Sequence, residues 1–138
     1  MSTRKKKVII TGVNREVADE MKIYISGKIS GMNRFRSKLR FRNAQRYLEG
    51  KGFEVVNPWK NQDIQNVVEL GGDYCAILLE CMNVLGACDA IYMLDNFLES
   101  RGAKAEHAFA IACGIKVFYC KELYEKGALR RTGTEEII

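Results

Sequence analysis

The sequence predicts one α/β domain, a Rossmann-like or flavodoxin-like fold with a parallel sheet of four to five strands and helices on both faces. Short, continuously apolar segments alternate with longer amphipathic segments, as in a sheet that is covered on both sides. Glycine marks most boundaries, because proline occurs once, at Pro58. The chain has 138 residues, 47% of them hydrophobic, which suits one domain with a substantial core.

The first predicted strand spans residues 21–26 (MKIYIS), and a loop with two glycines follows it. A helix is predicted over residues 37–49, where apolar residues recur on one face and basic residues on the other. Residues 53–56 (FEVV) form the second predicted strand, and residues 57–72 read as a looser polar stretch. The remaining predicted elements are a helix over residues 73–86, a strand over 89–94, a helix over 102–113, a strand over 116–120 and a short helix over 121–126.

Residues 1–20 are interpreted as a basic N-terminal extension that precedes a domain of residues 21–138. Within the extension, residues 8–11 are a possible additional edge strand. No apolar run reaches 18 residues, so no membrane span is expected and the cytoplasm is the expected location. The five cysteines form no Cys-x-x-Cys pair and the chain has one histidine, which favours reduced thiols over a disulfide framework or a zinc site.

The net charge of +5 suits an anionic ligand, from a single phosphate to a nucleic acid. Lys38, Arg42 and Arg46 concentrate positive charge on the first helix, but no aromatic stacking pattern accompanies them in the sequence. A nucleic acid is therefore not the expected partner. Ligands of parallel α/β sheets bind at the carboxyl ends of the strands. Three segments of this chain are expected to meet at that edge: residues 26–31, residues from 57 onward and residues 95–106.

The loop after the first strand contains Ser26, Gly27, Lys28, Ser30 and Gly31. Glycines at this place let a backbone approach a ligand, and the lysine and serine side chains can hold an anion. The sequence is not a Walker loop, which requires a different spacing of glycine, lysine and serine or threonine. An ordinary glycine turn is the alternative, and the spacing alone favours it.

Three carboxylates are candidates for chemistry. Glu106 lies near the start of a predicted helix, whose positive end favours the ionised form of a glutamate that could attack an anomeric carbon. A solvated glutamate that stabilises the helix is the alternative. Asp73 and Glu80 lie seven residues apart on one helix face, and either could protonate a leaving base or simply face solvent.

Four segments together resemble the nucleoside 2-deoxyribosyltransferase superfamily, including its small bacterial and phage members and the related deoxynucleoside 5′-monophosphate N-hydrolases. The order and spacing of the segments carry the resemblance. They are residues 24–31 (YISGKISG), 55–61 (VVNPWKN), 88–94 (CDAIYML) and 100–110 (SRGAKAEHAFA).

The resemblance implies roles for particular residues. It assigns the nucleophile to Glu106, a supporting tyrosine at the end of the first strand to Tyr24, and a phosphate-contacting serine to Ser100. The phosphate-binding loop matches residues 27–31, and Asn57 and Gly102 fall in the segments expected to contact substrate. It also implies a homo-oligomer and a reaction that needs no metal or organic cofactor.

The chain departs from the superfamily pattern on the helix before the third strand. An aspartate is usual eight residues before the aspartate of that strand, and counting back from Asp89 reaches Cys81. The adjacent Glu80 could substitute for it if the helix shifts register, and Asp73 is another candidate. The expected function is cleavage or transfer at the N-glycosidic bond of a nucleoside or its 5′-monophosphate. A non-catalytic nucleotide-binding protein or sensor is the alternative, and a nucleic-acid-binding protein is a third.

Overall fold

A computed structural model of the protein describes residues 21–138. The strands are β1 (Lys22–Ser26), β2 (Glu54–Val56), β3 (Ala90–Met93), β4 (Lys116–Tyr119) and β5 (Glu136–Ile137). The helices are α1 (Arg34–Gly50), α2 (Gln62–Glu69), α3 (Tyr74–Gly86), α4 (Arg101–Cys113) and α5 (Glu122–Glu125), with a 3-10 turn at Phe97–Glu99. All five strands run parallel in the order β2-β1-β3-β4-β5.

The predicted fold class is confirmed. Two elements were not predicted: α2 lies in the stretch whose sequence indicates a loose polar segment, and β5 has only two residues. Helix α2 does carry a start signal, since the side chain of its N-cap residue Asn61 accepts a hydrogen bond from the backbone N–H of Ile64. The predicted extension and edge strand within residues 1–20 lie outside the described residues.

The strand order decides which helix covers which face of the sheet. The chain moves from β1 to β2 in one direction, and from β2 through β3 to β4 in the opposite direction. Because crossover connections are right-handed, α1 lies on one face and α2, α3 and α4 lie on the other. The packing agrees with this layering: α1 packs against β1 and β2, while α3 packs against α2 and α4.

The order of the sheet also reverses between β1 and β3, and this switch point is where ligands bind in such folds. Both strands are buried at the switch point, with Ile23, Ile25, Ile91 and Met93 fully inaccessible. Four helices on the two faces begin with a polar cap, which fixes where each starts relative to the sheet edge. These N-cap residues are Asn33, Asn61, Asp73 and Ser100.

Within residues 21–138, none of the helices has the length and the apolar composition that crossing a membrane requires.

Candidate active site

A cavity of about 400 Å³ opens at the carboxyl edge of the sheet beside β1 and β3. The loops after β1 and β2 form one side of it, and α2, α3 and the first turns of α4 form the other. Its walls are largely apolar. Representative lining residues are Gly27, Ile29, Pro58, Trp59, Ile64, Tyr74, Ile77, Cys81, Ser100, Ala103 and Glu106.

The carboxyl group of Glu106 is the only acidic side chain that lines this cavity among the described residues. Glu106 is 6% exposed, and two hydroxyls from β1 donate to its carboxyl oxygens. The hydroxyl of Tyr24 donates to Oε2 at 2.7 Å, and that of Ser26 donates to Oε1 at 2.6 Å. The two hydrogen bonds hold both oxygens, so the carboxyl group has a fixed orientation at the sheet edge.

Burial changes the acidity of this cluster. It raises the pKa of Glu106 from 4.5 to about 7, and the hydrogen bonds from Ser26 and Tyr24 oppose that rise. The expectation that the helix N-terminus would keep Glu106 readily ionised is therefore corrected. Glu106 is the sixth residue of α4, beyond the first turn where the helix dipole acts most strongly, and desolvation outweighs the dipole. The alternative of a solvated glutamate is also wrong, because the side chain is buried.

The neighbours of Glu106 remain neutral. Burial, and then the nearby Glu106, raise the pKa of Tyr24 well above its ordinary value, so its hydroxyl stays a donor. Burial, followed by the charge of Glu106, raises the pKa of Cys81 to about 12, so the group is a thiol rather than a thiolate. The carboxyl group therefore sits among neutral donors, and within residues 21–138 no cation lowers its pKa.

The loop after β1 is held close to the loop after β3. The backbone N–H of Lys28 donates to Oδ1 of Asn96 at 3.0 Å. A Cβ on Gly27 would lie 2.7 Å from Cδ1 of Leu94 and 3.1 Å from Oδ1 of Asn96, so only glycine fits without displacing both neighbours. Gly27 therefore has a packing role as well as a place in the cavity wall.

The start of α4 forms the opposite wall. Oγ of Ser100 accepts a hydrogen bond from the backbone N–H of Ala103, which caps the helix at the cavity. Gly102 also lines the cavity, and a Cβ there would lie 2.7 Å from the hydroxyl of Tyr74. The structure thus places Ser100 and Gly102 in the wall of the cavity that Glu106 lines, and the 13-residue helix presents its positive end there.

The other predicted ligand-binding residues are divided. Ser30 lines the cavity, whereas Lys28 and Gly31 do not belong to its walls. Asn57 follows β2 at the carboxyl edge, but its Nδ2 donates to Gln45 and its Oδ1 accepts from the backbone of Trp59. Asn57 therefore shapes the loop that carries Trp59 and lies outside the cavity itself.

The two predicted general acids lie away from the cavity. Asp73 is the N-cap of α3, where its Oδ1 accepts from the backbone N–H of Ala76. Glu80 accepts a hydrogen bond from Asn83 and is not part of the lining. Cys81, one position further along α3, faces Glu106 instead. A register shift of α3 that would bring Glu80 inward is not observed, so the proposed substitution of Glu80 for the missing aspartate is wrong.

Trp59 and Arg34 are among the lining residues that escaped sequence-based prediction, because their role depends on tertiary contacts. The indole N–H of Trp59 donates to Oγ of Ser37 on α1, which turns the ring toward the cavity wall. The guanidinium of Arg34 lies 5.6 Å from the ring centroid, and Nζ of Lys38 lies 5.2 Å from it. The segment VVNPWKN carries part of the family resemblance, but nothing in it indicates these cationic neighbours.

Metal ligation finds no support in residues 21–138, where no group of three or more histidine, cysteine or acidic side chains could hold an ion. His107 does not face the cavity; its Nε2 lies 2.8 Å from the hydroxyl of Tyr119.

Comparison with known families matches residues 21–119 to the family described as a domain of unknown function, DUF4406. The match covers most of the chain and includes β1, the cavity and Glu106. The chain therefore belongs to the DUF4406 family. No curated protein and no solved structure matches it.

Proposed function

We propose that this protein cleaves or transfers the N-glycosidic bond of a nucleoside or its 5′-monophosphate, with Glu106 as the nucleophile. The observation that supports this most is the buried carboxyl group of Glu106, held by the hydroxyls of Tyr24 and Ser26 at the end of an otherwise largely apolar cavity. The type of reaction and the kind of substrate are suggested by the resemblance of its segments to the nucleoside 2-deoxyribosyltransferase superfamily.

The first step is attack by a carboxylate oxygen of Glu106 on the anomeric carbon. An ester bond forms between the glutamate and the sugar, the bond from carbon to the base nitrogen breaks, and the base leaves with the electron pair and takes a proton from solvent. Water or a second base then attacks the same carbon. The attacking group loses a proton to solvent, the ester bond breaks with its electron pair returning to the carboxylate of Glu106, and the sugar leaves as the free form or as a new nucleoside.

The geometry suits such a nucleophile in two respects. Hydrogen bonds from Tyr24 and Ser26 orient the carboxyl group, and a pKa of about 7 keeps a large fraction of it ionised near neutral pH. Because attack requires the ionised form, base release should rise as the pH increases through about 7.

The cavity walls suit the other parts of a nucleotide. Apolar side chains of α2 and α3, with the ring of Trp59, offer surfaces for a flat base. Ser30, Ser100 and the first turn of α4 offer hydroxyl groups and a positive helix end to a 5′-phosphate. A monophosphate should therefore bind more tightly than the nucleoside, although Lys28 does not line this wall and its backbone N–H donates to Asn96.

A non-catalytic nucleotide-binding protein is the second candidate. It is favoured by Cys81, whose neutral thiol stands beside Glu106 where the superfamily usually has an aspartate. No second acidic side chain lines the cavity within residues 21–138, so no protein carboxyl group is available there to protonate the departing base. The two candidates differ in whether bound ligand loses its base.

The test is incubation with a panel of nucleosides and 5′-monophosphates, with and without an acceptor base, followed by chromatography of the released bases. We expect release by the parent protein and a loss of at least about a thousand-fold in Glu106→Gln, which keeps the shape and removes the attacking charge. Glu80→Gln is the matched control, because it removes a carboxylate of the same size outside the cavity. Binding without any base release would favour the second candidate.

A further inference from the structure

A groove of about 620 Å³ runs along the outer side of α1 and does not belong to the cavity around Glu106. Four cationic residues line the groove, and a fifth, Arg34, lies over the ring of Trp59. The lining includes one acidic residue, Glu49. The cations are Arg34, Lys38, Arg42, Arg46 and Lys60. Glu49 accepts a hydrogen bond from Gln45, and among the described residues no ion pair joins it to the five cations.

Four of the cations form a continuous row on α1. Arg34, Lys38, Arg42 and Arg46 recur at every fourth position, which places them along one ridge of the helix. At a rise of 1.5 Å per residue, the row extends over about 18 Å. This length exceeds the triphosphate of one nucleotide and suits a polymer with a phosphate at every repeat.

Aromatic side chains accompany the row in the folded protein, although the sequence pattern gave no sign of them. Phe35 lines the groove and is 74% exposed, so its ring is available to an unpaired base. Trp59 lines both the groove and the cavity, with Arg34 and Lys38 beside its ring. The groove therefore combines charge for a phosphate backbone with aromatic surfaces for bases.

We propose that this groove binds single-stranded nucleic acid, with the phosphates along the row on α1 and bases against Phe35 and Trp59. The geometry favours a single strand over a duplex, because paired bases are stacked on each other and cannot stack on these rings. Trp59 joins the groove to the cavity, so a bound strand leads toward Glu106. The groove itself binds by charge and stacking, independently of any reaction at Glu106.

The experiment measures fluorescence anisotropy of a labelled single strand of about 12 nucleotides, in the range of known single-strand sites. Arg42→Glu should weaken binding at least about tenfold. The slope of log K against log salt concentration should also become shallower, by about 0.7 for each phosphate that is no longer neutralised. Arg36→Glu is the matched control, because Arg36 is an exposed arginine of the same helix that does not line the groove. It should change the affinity less than about threefold.

Equal weakening by Arg42→Glu and Arg36→Glu would overturn the proposal, because it would show that net charge alone attracts the strand. Equally tight binding of a duplex, of a nucleoside triphosphate or of polyglutamate would overturn it too. Arg46→Glu should repeat the effect of Arg42→Glu, and thermal melting checks that both variants fold. Glu106→Gln should bind the strand like the parent. A negative glycosidase assay and a loss of strand binding in the groove can therefore be told apart.

Discussion

The cavity and the groove of this protein share one residue, Trp59, and differ in almost every other property. The cavity is built from apolar walls around a single buried carboxyl group, whose charge is suppressed by desolvation. The groove is built from exposed cations on one helix. Burial thus suppresses the charge of the carboxyl group in one region, whereas the cations of the neighbouring region stay exposed and keep their charge in water.

The largest effect that separates the two regions is expected in the pH dependence of stability. The pKa of Glu106 is about 7 in the folded protein against 4.5 for the ordinary group, so the folded state binds more protons between these values. The free energy of unfolding should therefore fall as pH rises from about 4.5 to about 7, by up to about 3 kcal/mol. It should be flat above that range.

Urea unfolding of the parent and of Glu106→Gln at several pH values checks this. The glutamine variant should lack the fall, and it should be more stable than the parent above about pH 7. Replacing Arg46 in the groove by glutamine should shift stability by less than about 0.5 kcal/mol at any pH, since it is an exposed surface residue. Parallel curves of unfolding free energy against pH for the parent and Glu106→Gln would contradict the raised pKa of the buried carboxyl group.

A smaller effect is expected from Tyr24→Phe, which removes the hydroxyl that donates to Oε2 of Glu106. A hydrogen bond to a charged group contributes about 1.5–3 kcal/mol, and here it stabilises the ionised form. Its loss should raise the pKa of Glu106 and move the midpoint of the pH–rate profile for base release upward by roughly one pH unit or more.

Tyr119→Phe is the matched control for that change. It removes a tyrosine hydroxyl that contacts His107 outside the cavity, so it should leave the midpoint in place. An unchanged midpoint in Tyr24→Phe would mean that its hydroxyl does not tune Glu106, whereas a loss of activity at every pH with no shift would indicate a structural role only.

The fold could be predicted from the sequence because buried parallel strands are continuous apolar runs, and because the helices end at glycines. Ser26 and Glu106 could be placed at one edge of the sheet because their segments follow the carboxyl ends of predicted parallel strands, and the resemblance added Tyr24. The structure brings the three residues together. Helix α2 escaped prediction since its eight residues are mostly polar, with Ile64 as the one buried position.

The chemistry of the site was harder to predict than its location. The direction in which the pKa of Glu106 shifts depends on how completely the cavity walls exclude water, and no local sequence pattern reveals this. Asp73 and Cys81 illustrate a second limit. The helical period groups residues on a face, but only packing decides that Cys81 faces Glu106 while Asp73 caps the helix. The stacking residues of the groove were missed for the same reason.

Trapping a covalent intermediate tests the central claim most directly, namely that Glu106 attacks the sugar. The protein is incubated with a slow nucleoside or monophosphate analogue that reacts in the first step and resists the second, then digested with trypsin and analysed by mass spectrometry. The peptide of residues 105–116, which contains Glu106, should gain the mass of the glycosyl group, and the same peptide of Glu106→Gln should not. Base release by the parent without an adduct on this peptide, together with undiminished release by Glu106→Gln, would contradict the account.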